Sequence, residues 1–155
     1  MTKIMTVLTM CFLLACSGDE NNDSTTEPEG TNSLGTEPVL GLSSQTLVHD
    51  GLIREFLLYV PASYDQAINL PIVLNFHGNG GTSEGHMNTA DMRSLAESEN
   101  FILIYPQGTL LDGDSHWNSM VATEGNKSDS DDLGFVDALL TLMSASYAVD
   151  SSRVY

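Results

Sequence analysis

The sequence predicts an α/β domain, and three observations support this fold class. Two short apolar runs, 71–76 and 101–105, do not alternate with polar residues, which is typical of strands covered on both faces. The segment 88–100 between them has the apolar spacing of a helix, and so does a later segment that begins at Asp131 or Asp132. Strands that alternate with helices in this way form a parallel sheet with crossover helices.

A β-hairpin is predicted at the start of the domain. The apolar runs 46–48 and 52–60 flank Asp50 and Gly51, and Asp-Gly suits a type I′ turn because both central residues need positive φ. Pro61 is expected to end the second strand.

The strand 71–76 leads directly into a glycine-rich loop, His77-Gly78-Asn79-Gly80-Gly81. Glycines leave the backbone uncovered, so a ligand can approach the amide N–H groups closely. The sequence therefore predicts a ligand-binding turn at the end of this strand.

The elements after the loop are predicted from the same patterns. The helix 88–100 is expected to be capped by Thr89 or Asp91, and the strand 101–105 follows it. The segment 106–130 is long and polar, and such loops within a domain are usually functional or mobile.

The last predicted helix has a core-facing stripe, and the chain then opens a strand at 153–155. The stripe comprises Val136, Leu139, Leu140, Met143 and Tyr147.

Taken in order, these segments resemble the secreted esterases grouped with polyhydroxybutyrate depolymerases and feruloyl esterases. The matching motifs are 54–61, 77–81, 101–108, 116–118, 131–136 and 150–155. They cover about two thirds of the chain, from roughly Thr46 to the end. The resemblance implies an α/β-hydrolase fold of which this chain holds the N-terminal portion, ending just before the nucleophile elbow. In the strand order of that fold, the strand 153–155 would pair beside the strand 71–76.

The same resemblance implies a serine-type carboxylic ester hydrolase that needs no cofactor. Its catalytic contribution from this chain would be the oxyanion loop at Gly78, Asn79 and Gly80, with the N–H of Asn79 as the donor. The nucleophilic serine, the acid and the histidine would lie beyond Tyr155, so residues 1–155 alone are expected to be inactive.

Two further residues are expected near the substrate. His77 is assigned to the substrate-binding region, where it is expected to steady the loop rather than act as a base. Trp117 has two interpretations, as a packing residue that closes the domain or as an aromatic wall for an acyl or aryl group.

Ser83 lies in a sequence, Gly81-Thr82-Ser83-Glu84-Gly85, that matches the Gly-x-Ser-x-Gly pattern of a nucleophile elbow. An elbow serine must sit at a sharp turn directly after a strand. Ser83 comes after the glycine turn, and no histidine follows it in suitable order after an acid, because the last is His116. We therefore interpret the match as fortuitous.

The charge of the chain excludes one class of partner. It has 21 Asp and Glu residues against 5 Lys and Arg, whereas binding nucleic acid requires basic patches. Asp131 and Asp132 could form a metal site with Asp129, but acids at a helix N-terminus are better explained by capping, so no metal is predicted.

The first 16 residues have the features of an export signal. Lys3 precedes an apolar segment, 4–14, that is too short to span a bilayer comfortably. Leu13-Leu14-Ala15-Cys16 resembles a bacterial lipobox, which implies lipidation of Cys16 and an outer-membrane or cell-surface location, or else an extracellular one.

Three regions follow from these patterns. Residues 1–16 are expected to be the signal peptide, with Cys16 as the first mature residue. Residues 17–42 are rich in Ser, Thr, Asn, Pro and acids, which predicts a flexible tether, and 43–155 is the partial hydrolase domain.

Two alternative functions remain open at this point. The first is a secreted serine peptidase of the same superfamily, which would share the fold and the nucleophile. The second is a non-catalytic, truncated surface lipoprotein. The substrates expected for the esterase are a polyester, a feruloylated polysaccharide or a small ester.

Overall fold

A computed structural model describes residues 34–35, 37–118 and 128–155. The predicted signal peptide, Cys16 and most of the predicted tether lie outside the described residues. The elements in chain order are β1 (Gly41–His49), β2 (Leu52–Val60), β3 (Leu70–Leu74), α1 (Ser83–Thr89), α2 (Arg93–Glu99), β4 (Ile102–Pro106), β5 (Thr109–Leu111), β6 (Asp114–His116), α3 (Asp132–Ser146) and β7 (Val149–Val154).

Five of the strands form one mixed sheet in the order β1-β2-β4-β3-β7. The pairs β1–β2 and β2–β4 are antiparallel, whereas β4–β3 and β3–β7 are parallel. Parallel neighbours joined through helices confirm the predicted α/β class.

The predicted hairpin is confirmed between β1 and β2. His49 pairs with Leu52, and both turn residues have positive φ, 50° at Asp50 and 71° at Gly51. The strand β1 begins at Gly41, before the predicted boundary at residue 43, and all nine of its residues pair with β2. Since Gly41 pairs with Val60, the chain enters the sheet at the end opposite to the turn.

Helices cover both faces of the sheet. The side chains of β4 alternate between two cores, with Ile102 and Ile104 on one face and Leu103 and Tyr105 on the other. The first core includes the α3 residues Phe135, Leu139, Leu142 and Met143. The second includes Met87 of α1 and Ala96 of α2. Every residue of β4 is buried, which confirms the prediction of a strand covered on both faces.

The prediction of one helix over 88–100 is wrong, because the structure has two short helices with a break between them. The hydroxyl of Tyr105 fills this break: it accepts from the N–H of Met92 at 3.0 Å and donates to the carbonyl of Ala90 at 2.9 Å. The first helix begins earlier than predicted, because the side chain of Thr82 caps it by accepting from the N–H of Gly85.

The expectation of an irregular segment over 106–130 is also wrong in part. β5 and β6 pair as a small antiparallel hairpin, with positive φ at Asp112 (54°) and Gly113 (94°). This is the same Asp-Gly turn signal that identified the first hairpin. Residues 119–127 lie outside the described residues.

The last helix and the last strand are both present in the predicted order. The side chain of Asp131 caps α3 by accepting from the N–H of Gly134 at 3.0 Å. β7 begins earlier than predicted, at Val149, and runs parallel to β3 as expected. In the part of the chain that the structure describes, no helix is long and apolar enough to cross a bilayer.

Candidate functional site

The candidate site lies at the carboxyl edge of the parallel strands. The loop 75–81 follows β3, and Gln107 and Gly108 follow the neighbouring strand β4. Ligands of open α/β sheets bind at this edge, because loops from adjacent strands meet there. The structure thus brings the predicted glycine loop together with the end of the motif 101–108, to which the sequence assigned no role in the site.

The backbone amides of the glycine loop fall into two groups. The N–H of Gly80 donates to the carbonyl of Ser115 at 2.7 Å, and that of Gly81 donates to the carbonyl of Gly78 at 3.0 Å. Within the described residues, the N–H groups of Gly78 and Asn79 have no partner, and both residues are exposed. Gly80 has φ of 73°, which favours glycine there. The loop therefore presents two adjacent donors.

His77 is buried beneath this loop, with only 3% of its surface exposed. Its Nε2 accepts from the N–H of Gly108 at 3.0 Å, so Nδ1 carries the proton of the neutral ring and donates to the carbonyl of Gly78 at 2.7 Å. Both ring nitrogens are thus used inside the protein. The arrangement suits a residue that holds the loop in place, as the sequence analysis expected of His77.

Trp117 closes the other side of the loop. Its indole Nε1 donates to the carbonyl of His77 at 3.0 Å, and its ring meets that of Phe76 edge-on at 5.1 Å. Trp117 and Phe76 line an apolar cavity of about 300 Å³ together with Leu133 and Val136 of α3. The side chain therefore packs against the loop and also forms a cavity wall, so the geometry is compatible with both interpretations.

A buried ion pair that the sequence analysis missed supports the segment around Trp117. Arg54 is 3% exposed and Asp132 is 4% exposed, and the guanidinium lies 2.7 Å from Oδ1 of the carboxylate. Asp132 also accepts from the N–H of Asn118 at 2.6 Å and from the hydroxyl of Ser130 at 3.1 Å. The guanidinium lies 3.9 Å from the centre of the Phe135 ring, a cation–π contact.

The acidic cluster near α3 has separate structural contacts. Asp131 is exposed. The hydrogen bond from the N–H of Gly134 lowers the pKa of its carboxyl below the usual value, and His49, whose Nε2 lies 3.0 Å from Oδ2, has a smaller effect in the same direction. Among the residues that the structure describes, no group of three or more His, Cys, Asp or Glu side chains is placed to hold a metal ion. The capping role of Asp131 is confirmed.

Ser83 is the first residue of α1, separated from β3 by the whole glycine loop. Its N–H donates to Oε1 of Gln107 at 2.9 Å. Its hydroxyl has no hydrogen-bond partner in the described ranges, so no histidine in this part of the chain activates it. A catalytic serine needs such a base, which Ser83 lacks here.

Comparison with known proteins adds sequence and structural relatives. The chain is 30% identical over 105 residues to the bifunctional acetylxylan esterase/xylanase XynS20E of Neocallimastix patriciarum, a match that covers 68% of this chain and 14% of that protein. No family model matches the chain.

Two solved structures share the arrangement of strands and helices. The Pyrobaculum calidifontis esterase is 18% identical, with a TM-score of 0.53, and the match covers 76% of this chain and 35% of that one. The native structure of sOPH is 16% identical, with a TM-score of 0.55, and the match covers 80% of this chain and 45% of that one. The fold is that of an α/β-hydrolase. This chain spans less than half of each of these proteins.

In an α/β-hydrolase, the loop after the third strand contributes one donor to the oxyanion hole. Here β3 is the third strand in chain order, and the loop with the two unpartnered N–H groups follows it. Among the described residues, the two free donors thus lie in the loop that has this position in the α/β-hydrolase fold.

Proposed function

We propose that this α/β-hydrolase domain belongs to a serine-type carboxylic ester hydrolase in which the N–H of Asn79 is an oxyanion donor. The single observation that supports the proposal most strongly is the contrast within the loop. The N–H groups of Gly80 and Gly81 are bonded, whereas those of Gly78 and Asn79 are exposed and free among the described residues. The esterase relative, which matches most of this chain, favours ester chemistry over the peptidase alternative.

The chemistry follows from the proposed placement. A serine attacks the ester carbonyl, and the carbonyl oxygen acquires negative charge in the tetrahedral intermediate. The N–H of Asn79 then donates to this oxygen, and a second donor comes from the residue after the nucleophile. The carboxyl end of β7 lies beside β3, since the carbonyl of Tyr155 accepts from the N–H of Leu74 at 2.8 Å. A serine on a turn after Tyr155 would therefore face the loop.

The proposed substrate class is a carboxylic ester, including an acetylated or feruloylated polysaccharide or a polyester. The relative named an acetylxylan esterase points to acyl groups on a polysaccharide. The cavity beside the loop, walled by Trp117 and Phe76, has the apolar lining that suits an acyl or aryl group. No cofactor is part of this mechanism.

The test compares two polypeptides, residues 1–155 and the product of the whole reading frame that contains them. Release of nitrophenol from a short-chain ester is expected from the second and not from the first, and a fluorophosphonate probe should label only the second. Acetylxylan, a feruloyl ester and polyhydroxybutyrate then define the substrate. Absence of ester hydrolysis by the whole product would overturn the proposal.

Ser83→Ala serves as the control for the nucleophile. Because Ser83 has no base among the described residues, and alanine keeps the N–H that donates to Gln107, this variant of the whole product is expected to keep its labelling and its turnover. Turnover by residues 1–155 that disappears in Ser83→Ala would instead identify Ser83 as the nucleophile.

We also propose that the protein is exported and held at a membrane by a lipid on Cys16, as the lipobox-like residues before it suggest. Labelled palmitate is expected to be incorporated into the wild type and lost in Cys16→Ala, while Cys11→Ala, within the proposed signal, keeps the label. A Cys16→Ala protein with equal label and equal membrane association would contradict the anchor.

A further inference from the structure

We propose that Gln107 is a positioning residue that holds the oxyanion loop in its donating geometry. The inference rests on the proposed function, since it concerns how the segment 77–83, from the glycine loop to the start of α1, keeps the N–H groups of Gly78 and Asn79 in place. Gln107 lies at the carboxyl end of β4 and does not itself belong to the loop.

The side-chain amide of Gln107 bridges separate segments. Its Oε1 accepts from the N–H of Ser83 at 2.9 Å, where α1 begins. Its Nε2 donates to the hydroxyl of Ser115 on β6 at 2.9 Å and to the carbonyl of Gly108 at 3.1 Å. The third neighbour of Nε2, the ring of His77 at 3.4 Å, is already bonded by Gly108. Both N–H donors of the amide are therefore used, and its oxygen accepts one hydrogen bond.

These contacts fix the loop on both sides of its free donors. On one side, the ring of His77 is held by the N–H of Gly108. On the other, the carbonyl of Ser115 accepts from Gly80, and Gln107 accepts from Ser83. The residues between these points are Gly78 and Asn79, whose N–H groups remain free. Loss of the contacts at Ser115 or Ser83 would therefore move the loop and change the direction of the N–H groups of Gly78 and Asn79.

The backbone of Gln107 is held independently of its side chain. Its N–H donates to the carbonyl of Glu55 at 3.0 Å, and its carbonyl accepts from the Arg54 guanidinium at 3.3 Å. A change of side chain should consequently leave the strand in place and release only the loop.

The test uses Gln107→Met, which keeps the length of the side chain and removes its amide, in the product of the whole reading frame. The value of kcat for a short-chain ester is expected to fall about 10- to 100-fold, the scale of a misplaced catalytic group. KM is expected to stay within about threefold, because the donor acts mainly in the transition state. Gln107→Glu, which still accepts from Ser83, is expected to lose less.

Gln45→Met is the matched control. Gln45 is on β1, and among the described residues its Nε2 donates only to the hydroxyl of Ser43 at 3.0 Å, so the same chemical change there should leave kcat unchanged. Circular dichroism and melting establish that each variant is folded. If Gln107→Met does not fold, the comparison rests on Gln107→Glu and the wild type: kcat is expected to fall in Gln107→Glu while KM stays constant.

Amide hydrogen exchange separates this inference from the proposed function. Peptides that cover 77–83 are expected to exchange about two- to tenfold faster in Gln107→Met, the factor equivalent to losing one ordinary hydrogen bond. Unchanged exchange together with unchanged kcat would overturn the role of Gln107. Faster exchange with normal ester turnover would show that Gln107 holds the loop without setting the direction of its donors, which would overturn the positioning role of Gln107 and leave the ester hydrolase proposal standing. Absence of turnover in the parent protein, with exchange still faster in the variant, would overturn the proposed function alone.

Discussion

Replacing Asp132 with alanine is expected to lower the free energy of unfolding by about 3–5 kcal/mol, the cost of leaving a buried charge without its partner. The Arg54 guanidinium has little exposed surface through which water could compensate, since the side chain is 3% exposed. The same change also removes the acceptor of the Asn118 N–H. Urea unfolding of the full chain, followed by circular dichroism, measures the difference.

Two controls locate the cause in the buried charge. Asp131→Ala removes an exposed carboxylate from the adjacent position and should cost about 1 kcal/mol, as loss of a helix cap usually does. The double variant Arg54→Met with Asp132→Leu is expected to be more stable than Asp132→Ala, because no unpaired charge remains. A loss of less than about 1 kcal/mol in Asp132→Ala would show that Arg54 finds another partner or water.

Asn79→Pro is expected to lower kcat about 10²- to 10³-fold, equivalent to roughly 3–4 kcal/mol, because proline has no N–H to donate to the oxyanion. The effect belongs to the transition state, so KM should change much less than kcat. The measurement is ester turnover by the product of the whole reading frame.

Asn79→Ala is the matched control, since it keeps the N–H and removes only an exposed side chain. It is expected to be mild. Proline also restricts the preceding residue, Gly78, so circular dichroism and melting must first show a folded variant. A folded Asn79→Pro protein with near-normal kcat would place the donor elsewhere, with the N–H of Gly78 as the next candidate.

The parts of the fold that were predicted correctly have local signatures. The turn at Asp50 and Gly51 requires positive φ at adjacent residues, which few sequences suit, and the apolar run of β4 indicates burial without further information. The glycine loop could be placed because it follows such a run directly. In each case the deciding residues are neighbours in sequence.

The features that were missed depend on residues far apart in the chain. The break between α1 and α2 depends on the hydroxyl of Tyr105, which follows both helices, and the partner of Arg54 lies 78 residues away at Asp132. The bonding of the loop amides depends on Ser115, in a hairpin whose strands have only three residues each. Periodicity cannot reveal such pairings, because it reports only which face of an element is buried.

The entry of the chain at Gly41 determines how far the glycine loop lies from the point at which a tether would join the domain. Gly41 pairs with Val60, at the end of the sheet opposite to the glycine loop, and the nine residues of β1 span roughly 30 Å at the usual rise of a strand. With the flexible tether predicted here, a lipid on Cys16 would join the domain at the end away from the loop, so the attachment would leave access to the loop unobstructed.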